Sequence, residues 1–202
     1  MIKKIVLTAI ALASFLATNV EAAISEDVVK ESIVKHSMEM GVDPALALSI
    51  AKKESGFKHE LKSPYGAVGV FQVLPSTAKK IGFNPYYLNE NIKAGLTYYK
   101  MMYNMFGSTE LALAAYNAGP GNVKKYGGTI PPFRETKRFV NVIMQDYHSQ
   151  KANPDPAIVK YSQKLAEQTK KAEIKQEQTP VELPDLKEIP ETREVNSSME
   201  IL

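Results

Sequence analysis

The sequence predicts a mainly α fold, and three observations predict it. Between residues 23 and 150 apolar side chains recur three and four positions apart, the spacing of one helix face. Residues that open and close helices punctuate the same stretch. No run sustains the alternation expected of a strand. Packed helices around one core are the architecture such a pattern implies.

Taken in order, Ser25 caps a first helix with Val29, Ile33 and Met40 near one face, ending at Gly41. Asp43-Pro44 supplies an N-cap and a proline at the first helical position, opening a second helix from Ala45 to Lys53. Pro75 to Ile81 reads as a short third. Asn89 caps a longer fourth whose Ile92, Leu96, Tyr99, Tyr103 and Phe106 share a face before Gly107. Thr109 opens a fifth through Tyr116, and Gly119-Pro120-Gly121 reads as a tight turn behind it. Arg134 to Tyr147 forms another, with Phe139, Val140, Ile143 and Tyr147 inward. Lys58 to Val73 reads as an irregular, β-like connection. Met38, Met40, Met101, Met102 and Met105 are read as core filling.

Two flanks differ from this centre. Lys3 and Lys4 precede an apolar run from Ile5 to Ala17, about 20 Å of helix against the ~30 Å of a bilayer core. Val20-Glu21-Ala22 follows, so residues 1–22 read as a signal peptide cleaved after Ala22. The mature chain is then exported, to the periplasm or cell envelope, with no stable membrane span left. Residues 151–202 hold no glycine, one aromatic and five of the 12 prolines. Such a charged Pro/Glu-rich tail is expected to be mostly disordered or ordered by a partner, with a polar helix from Ala157 to Gln178 and an extended linker from Thr179. The folded domain is expected at residues 23–150.

Composition narrows the chemistry. The chain has no cysteine, which removes disulfides, thiolate metal sites and cysteine nucleophiles. His36, His59 and His148 form no metal-binding pair, so no metal or other cofactor is expected. Residues 23–150 carry 15 basic and 11 acidic side chains, too mild an excess for a nucleic-acid partner.

Carboxylate chemistry remains, and Glu54 is the most unusual acid. It sits at the end of the Asp43-capped helix, before Ser55-Gly56, where the helix dipole opposes negative charge. Enclosure by Phe57, Phe71 and Tyr116 would add desolvation, and both effects favour a protonated acid able to donate to a leaving oxygen. Lys52 and Lys53 are expected to point away. Glu60 is the nearest candidate for a second carboxylate and is expected to be solvated.

Three further segments accompany Glu54-Ser55-Gly56-Phe57. They are Gly69-Val70-Phe71-Gln72 with Pro75-Ser76-Thr77-Ala78, then Ala115-Tyr116-Asn117-Ala118-Gly119-Pro120-Gly121, then Glu135-Thr136 with Phe139-Val140. In this order and spacing, over roughly residues 26–148, the chain closely resembles the catalytic domain of the soluble lytic transglycosylases, relatives of goose-type lysozyme. The resemblance implies a lysozyme-like helical domain with a substrate cleft. It implies cleavage of the β-1,4 bond between N-acetylmuramic acid and N-acetylglucosamine in peptidoglycan, ending in a 1,6-anhydro sugar. Glu54 matches the sole catalytic acid. Ser55, Gln72, Tyr116 and Asn117 match residues that bind the glycan or orient the acid. Many relatives have Tyr where this chain has Phe139, and Glu135 is read as fixing the start of its helix by hydrogen bonding.

The implied partners are peptidoglycan glycan strands and, through the tail, components of a secretion, conjugation or pilus apparatus. A hydrolysing lysozyme and a non-catalytic peptidoglycan-binding assembly protein are the competing readings.

Overall fold

The computed structural model describes residues 24–177. The expected signal peptide and the linker from Thr179 lie outside the described residues. Among the described residues eight helices run in order: α1 (Glu26–Glu39), α2 (Pro44–Ser55), α3 (Pro75–Lys80), α4 (Leu88–Phe106), α5 (Thr109–Ala118), α6 (Pro120–Lys125), α7 (Arg134–Ala152) and α8 (Pro156–Glu177). None of them is long and apolar enough to cross a membrane.

Local chemistry starts three of these helices where the sequence predicts. The Ser25 hydroxyl accepts from the Val28 amide, and Asp43 accepts from the Ala45 amide at 2.9 Å. Thr109 opens α5 as expected, and Ser108 before it is the cap, its hydroxyl accepting from the Leu111 amide. Each bond satisfies an amide that has no partner inside its own helix. The fourth helix differs. It begins at Leu88 with Tyr87 in the cap position, because the Asn89 amide faces the His36 ring instead, at 3.1 Å. Its buried face uses Ile92, Leu96, Tyr99 and Met102, while Tyr103 is exposed. Of the five methionines, Met102 is buried, Met38 and Met40 pack against the core, and Met101 and Met105 are exposed.

Ala112, Leu113, Ala114 and Ala115 are all buried, and α5 packs against α4, α6 and α7. The alanines at 112, 114 and 115 let neighbouring helices approach it closely. Around this centre α2 packs on α1 and α7, and α4 packs on α1. A fully buried leucine or isoleucine contributes roughly 1.5–3 kcal/mol relative to its exposed state, so Ile33, Leu48, Ile50, Ile92, Leu96, Leu113 and Ile143 carry much of the stability.

The segment from Phe57 to Leu74 has no helix, and its only β pairings are isolated bridges of Val68 with Lys62 and with Val73. Asn91 on α4 organises it. That fully buried amide accepts from the Phe71 N–H at 2.9 Å and donates to the carbonyls of Val68 and Pro85 at 2.8 and 3.0 Å.

The compact unit does not end at residue 150; its last residue is Tyr161. Asn153-Pro154 does interrupt the helix, but Asp155 then caps α8 through the Ala157 amide and pairs with Lys30 at 3.2 Å. Ala157 is thereby buried against the core, and Lys160 pairs with Glu31. Beyond Tyr161 the described side chains of α8 are exposed, on a helix that matches the polar segment read from the sequence.

Candidate active site

Helix ends meet at the cleft. Glu54 is the penultimate residue of α2, Tyr116 and Asn117 lie in the last turn of α5, and Glu135 and Thr136 lie in the first turn of α7. Gln72 and Leu74 come from the connection before α3. Together with Ser63, Tyr65, Tyr98, Asn122 and Phe133 these residues line a cleft of about 720 Å³.

Glu54 is the acid enclosed by this cleft. Burial pushes its carboxyl from an ordinary value near 4.5 up to about 8. The Lys53 ammonium opposes that rise and the Glu135 carboxylate adds to it. Lys53 therefore does not point clear of its neighbour as expected: its Nζ stands 5.5 Å from the centre of the Phe139 ring. Desolvation still wins, so Glu54 holds its proton at neutral pH.

The Tyr116 hydroxyl donates to the Phe71 carbonyl at 2.8 Å, pinning α5 to the Gln72 segment. Tyr98 packs edge-on against its ring, with centroids 5.2 Å apart. Burial, then the neighbouring Glu54 charge, pushes the Tyr116 phenol well above its ordinary value, so it remains a neutral group beside the acid.

Gln72 has a left-handed backbone, φ 45°, a conformation that costs a non-glycine residue on the order of 1 kcal/mol or more and clusters at functional sites. Its side-chain nitrogen donates to Leu61 O at 3.1 Å and Gly69 O at 2.8 Å. Both amide hydrogens are committed, which leaves the amide oxygen for a ligand. Asn117 has the opposite polarity. Its Oδ1 accepts from the Thr136 hydroxyl at 2.8 Å, which leaves N–H donors for a ligand.

Ser55 does not join this group. It is 8% exposed, and its hydroxyl donates to Val70 O at 2.8 Å and approaches Ala51 O at 3.3 Å. Its work is to fasten the end of α2 to the connection that carries Gln72. Phe57 and Phe71 are core residues rather than cleft walls; Phe57 packs beneath the Lys30 ammonium.

A family model described as "Transglycosylase SLT domain" matches residues 31–137. The chain belongs to this family. The soluble lytic murein transglycosylase of Salmonella typhimurium is 34% identical over 130 residues, covering 52% of this chain and 20% of that protein. The transglycosylase of Enterobacteria phage PRD1 is 28% identical over 129 residues, covering 63% of this chain and 46% of that one. The chain thus spans about a fifth of the length of the bacterial relative and about half that of the phage protein. Among solved structures, an inactive Glu-to-Gln mutant of the lytic transglycosylase Slt from Pseudomonas aeruginosa superimposes with a TM-score of 0.54 at 27% identity, over 62% of this chain and 25% of that one. A complex of the 70 kDa soluble lytic transglycosylase with bulgecin A gives the same TM-score at 26% identity, over 63% and 25%.

Within this SLT domain Glu54, Gln72, Tyr116 and Asn117, four of the five residues expected at the site, line one cleft. Ser63, Tyr65, Tyr98, Asn122 and Phe133 line it without having been expected there, and Glu135 and Thr136 join them from the start of α7. Glu60 is exposed and lies outside the cleft, so Glu135 is the second carboxylate there. Nor does Glu135 cap its helix, since the start of α7 has no side-chain cap bond. Tyr65, 92% exposed yet lining the cleft, is the kind of stranded aromatic that a sequence cannot distinguish from a core residue.

Proposed function

We propose that this domain is a peptidoglycan lytic transglycosylase in which Glu54 acts first as acid and then as base. The observation that carries the reading is the Glu54 carboxyl enclosed in a cleft whose other walls offer fixed donors and acceptors, burial pushing its pKa up to about 8. Family membership agrees, and a Glu-to-Gln change inactivates the Pseudomonas relative.

In the proposed reaction Glu54 gives its proton to the oxygen bridging N-acetylmuramic acid and N-acetylglucosamine as the bond from the muramic C1 breaks. The carbocation-like C1 is captured by the same sugar's 6-hydroxyl, and that hydroxyl's proton passes to the Glu54 carboxylate. The products are a free 4-hydroxyl and a 1,6-anhydro end, with no water consumed and the acid regenerated. Tyr116 holds the wall beside the acid, Gln72 accepts from the glycan and Asn117 donates to it. Positive charge developing at C1 lies in the field of Glu135, an interaction that strengthens in the transition state.

Glu135 also supports a second reading, hydrolysis. Two carboxyl groups across one cleft are the equipment of ordinary glycosidases, where the second activates water or attacks the sugar. Mass spectrometry of fragments released from purified sacculi separates the two. Transglycosylation gives muropeptides lighter by one water than the hydrolytic products, whereas reducing muramic ends throughout would establish a muramidase. Sacculi bound but never solubilised would establish a non-catalytic binder.

The reading extends to the whole chain as an exported enzyme, with residues 1–22 as signal peptide, a catalytic domain following it, and a charged tail that docks to an envelope-spanning machine for local wall opening. The composition of the two flanks supports this extension. Retention of the enzyme at such a machine by the full chain, and its loss on deleting residues 162–202, is the expected result.

A further inference from the structure

We propose that Thr136 is a positioning residue for glycan binding, its buried hydroxyl turning the Asn117 amide so that N–H donors face the cleft. The inference rests on the reading of the cleft as a glycan site.

Thr136 is 2% exposed, in the first turn of α7, and Asn117 is the penultimate residue of α5. They are 19 residues apart in sequence and joined by the 2.8 Å bond from Thr136 Oγ1 to Asn117 Oδ1. A hydroxyl has one proton to give, and Thr136 spends it here. Burial favours keeping a partner on this hydroxyl, because a buried hydroxyl left unmatched is costly, and in this bond it is the hydroxyl that donates and the amide oxygen that accepts. An amide is two-sided: once its oxygen is drawn back toward α7, its nitrogen must face the other way. Asn117 Nδ2 has no partner among the described residues, while Asn117 itself lines the cleft. Its donors are available to a neutral acceptor such as a sugar hydroxyl or an acetamido carbonyl.

The arrangement gains meaning from Gln72, whose amide is fixed with the opposite end outward. One amide is a dedicated donor and the other a dedicated acceptor. Without the Thr136 bond the Asn117 amide is free to flip, and its oxygen would then face the cleft and oppose the acceptor groups of the ligand.

The test uses co-sedimentation of the full chain with purified sacculi, on a Glu54→Gln parent so that binding is read without turnover. Thr136→Val, which keeps the side chain's shape, should bind about 3- to 10-fold more weakly, the equivalent of one hydrogen bond. Thr136→Ser should bind like the parent. Combining Thr136→Val with Asn117→Ala should be no worse than Asn117→Ala alone, since both remove the same interaction. Asn117→Asp, which keeps the oxygen gripped by Thr136 but loses the donors, should bind no better than Asn117→Ala; this arm stands even if Thr136→Val does not fold. Parent-like binding by folded Thr136→Val or by Asn117→Asp, failure of Thr136→Ser to restore binding, or additivity in the double variant would overturn the proposal while leaving the glycan reading intact. A parent that does not sediment with sacculi overturns that reading, and this inference with it.

Discussion

Gly95 and Phe71 are in contact so close that no side chain fits between them: a Cβ on Gly95 would lie 2.4 Å from the Cβ of Phe71. Phe71 is the residue whose carbonyl receives the Tyr116 hydroxyl and whose amide is held by Asn91. The absent side chain on α4 thus sets the depth at which Gln72 enters the cleft wall. Gly95→Ala should cost about 1–3 kcal/mol through overpacking, since helix propensity alone would favour the alanine. It should also lower the rate on sacculi. Urea unfolding and turnover measured side by side check both; a variant more stable than wild type would show that the contact relaxes freely.

A second prediction concerns stability against pH. Glu54 titrates near 8 in the folded chain and near 4.5 when unfolded. The folded state therefore holds one more proton between these values, and Glu54's contribution, complete below about pH 4.5, is lost as pH rises toward 8. Glu54→Gln, which cannot ionise, escapes this loss. Its stability advantage over wild type should grow across that window, by roughly 1.4 kcal/mol per pH unit at most, to a few kcal/mol. Parallel unfolding curves at pH 5 and pH 8 check it.

The neighbours of Glu54 should shift its titration in opposite directions. Lys53 favours the charged form and Glu135 disfavours it. Lys53→Met should move the alkaline limb of the activity profile to higher pH, and Glu135→Gln should move it lower, whatever either does to the maximal rate. Limbs that shift together in one direction would mean that the field at Glu54 has another source.

Truncation tests the boundary of the compact unit. A chain ending at Tyr161 keeps Asp155, Ala157 and Lys160 and should match the full chain within about 0.5 kcal/mol, with sacculus digestion retained. One ending at Ala152 loses the Lys30–Asp155 pair and the buried Ala157, and should lose on the order of 1–2 kcal/mol. Thermal unfolding of the two truncated chains against the full chain gives the answer.

Helix starts were legible wherever a short polar side chain or proline precedes an apolar stripe, as at Ser25, Asp43-Pro44 and Pro75. Asn89 misled because its partner, His36, is 53 residues away, and no local pattern reveals such a bond. Helix α6 was hidden behind Gly119, whose φ of 85° turns the chain before Pro120 restarts a helix; glycine on both sides of that proline reads as a turn. At the site, Glu54 was legible from its place at a helix end, and Gln72, Tyr116 and Asn117 through the motifs that resemble those of the family. Glu135 and Thr136 stood out as a motif, but their places in the cleft did not, since these come from the meeting of α7 with α2 and α5. Ser55 illustrates the converse, where adjacency to the acid in sequence suggests contact with a ligand while the helix turns the hydroxyl inward to Val70.

The most direct test of the account is the pH dependence of kcat/KM on purified sacculi. Loss of the Glu54 proton should end activity along a single alkaline limb centred near pH 8, with Glu54→Gln inactive at every pH. Activity unchanged from pH 5 to pH 10, or turnover retained by Glu54→Gln, would contradict it.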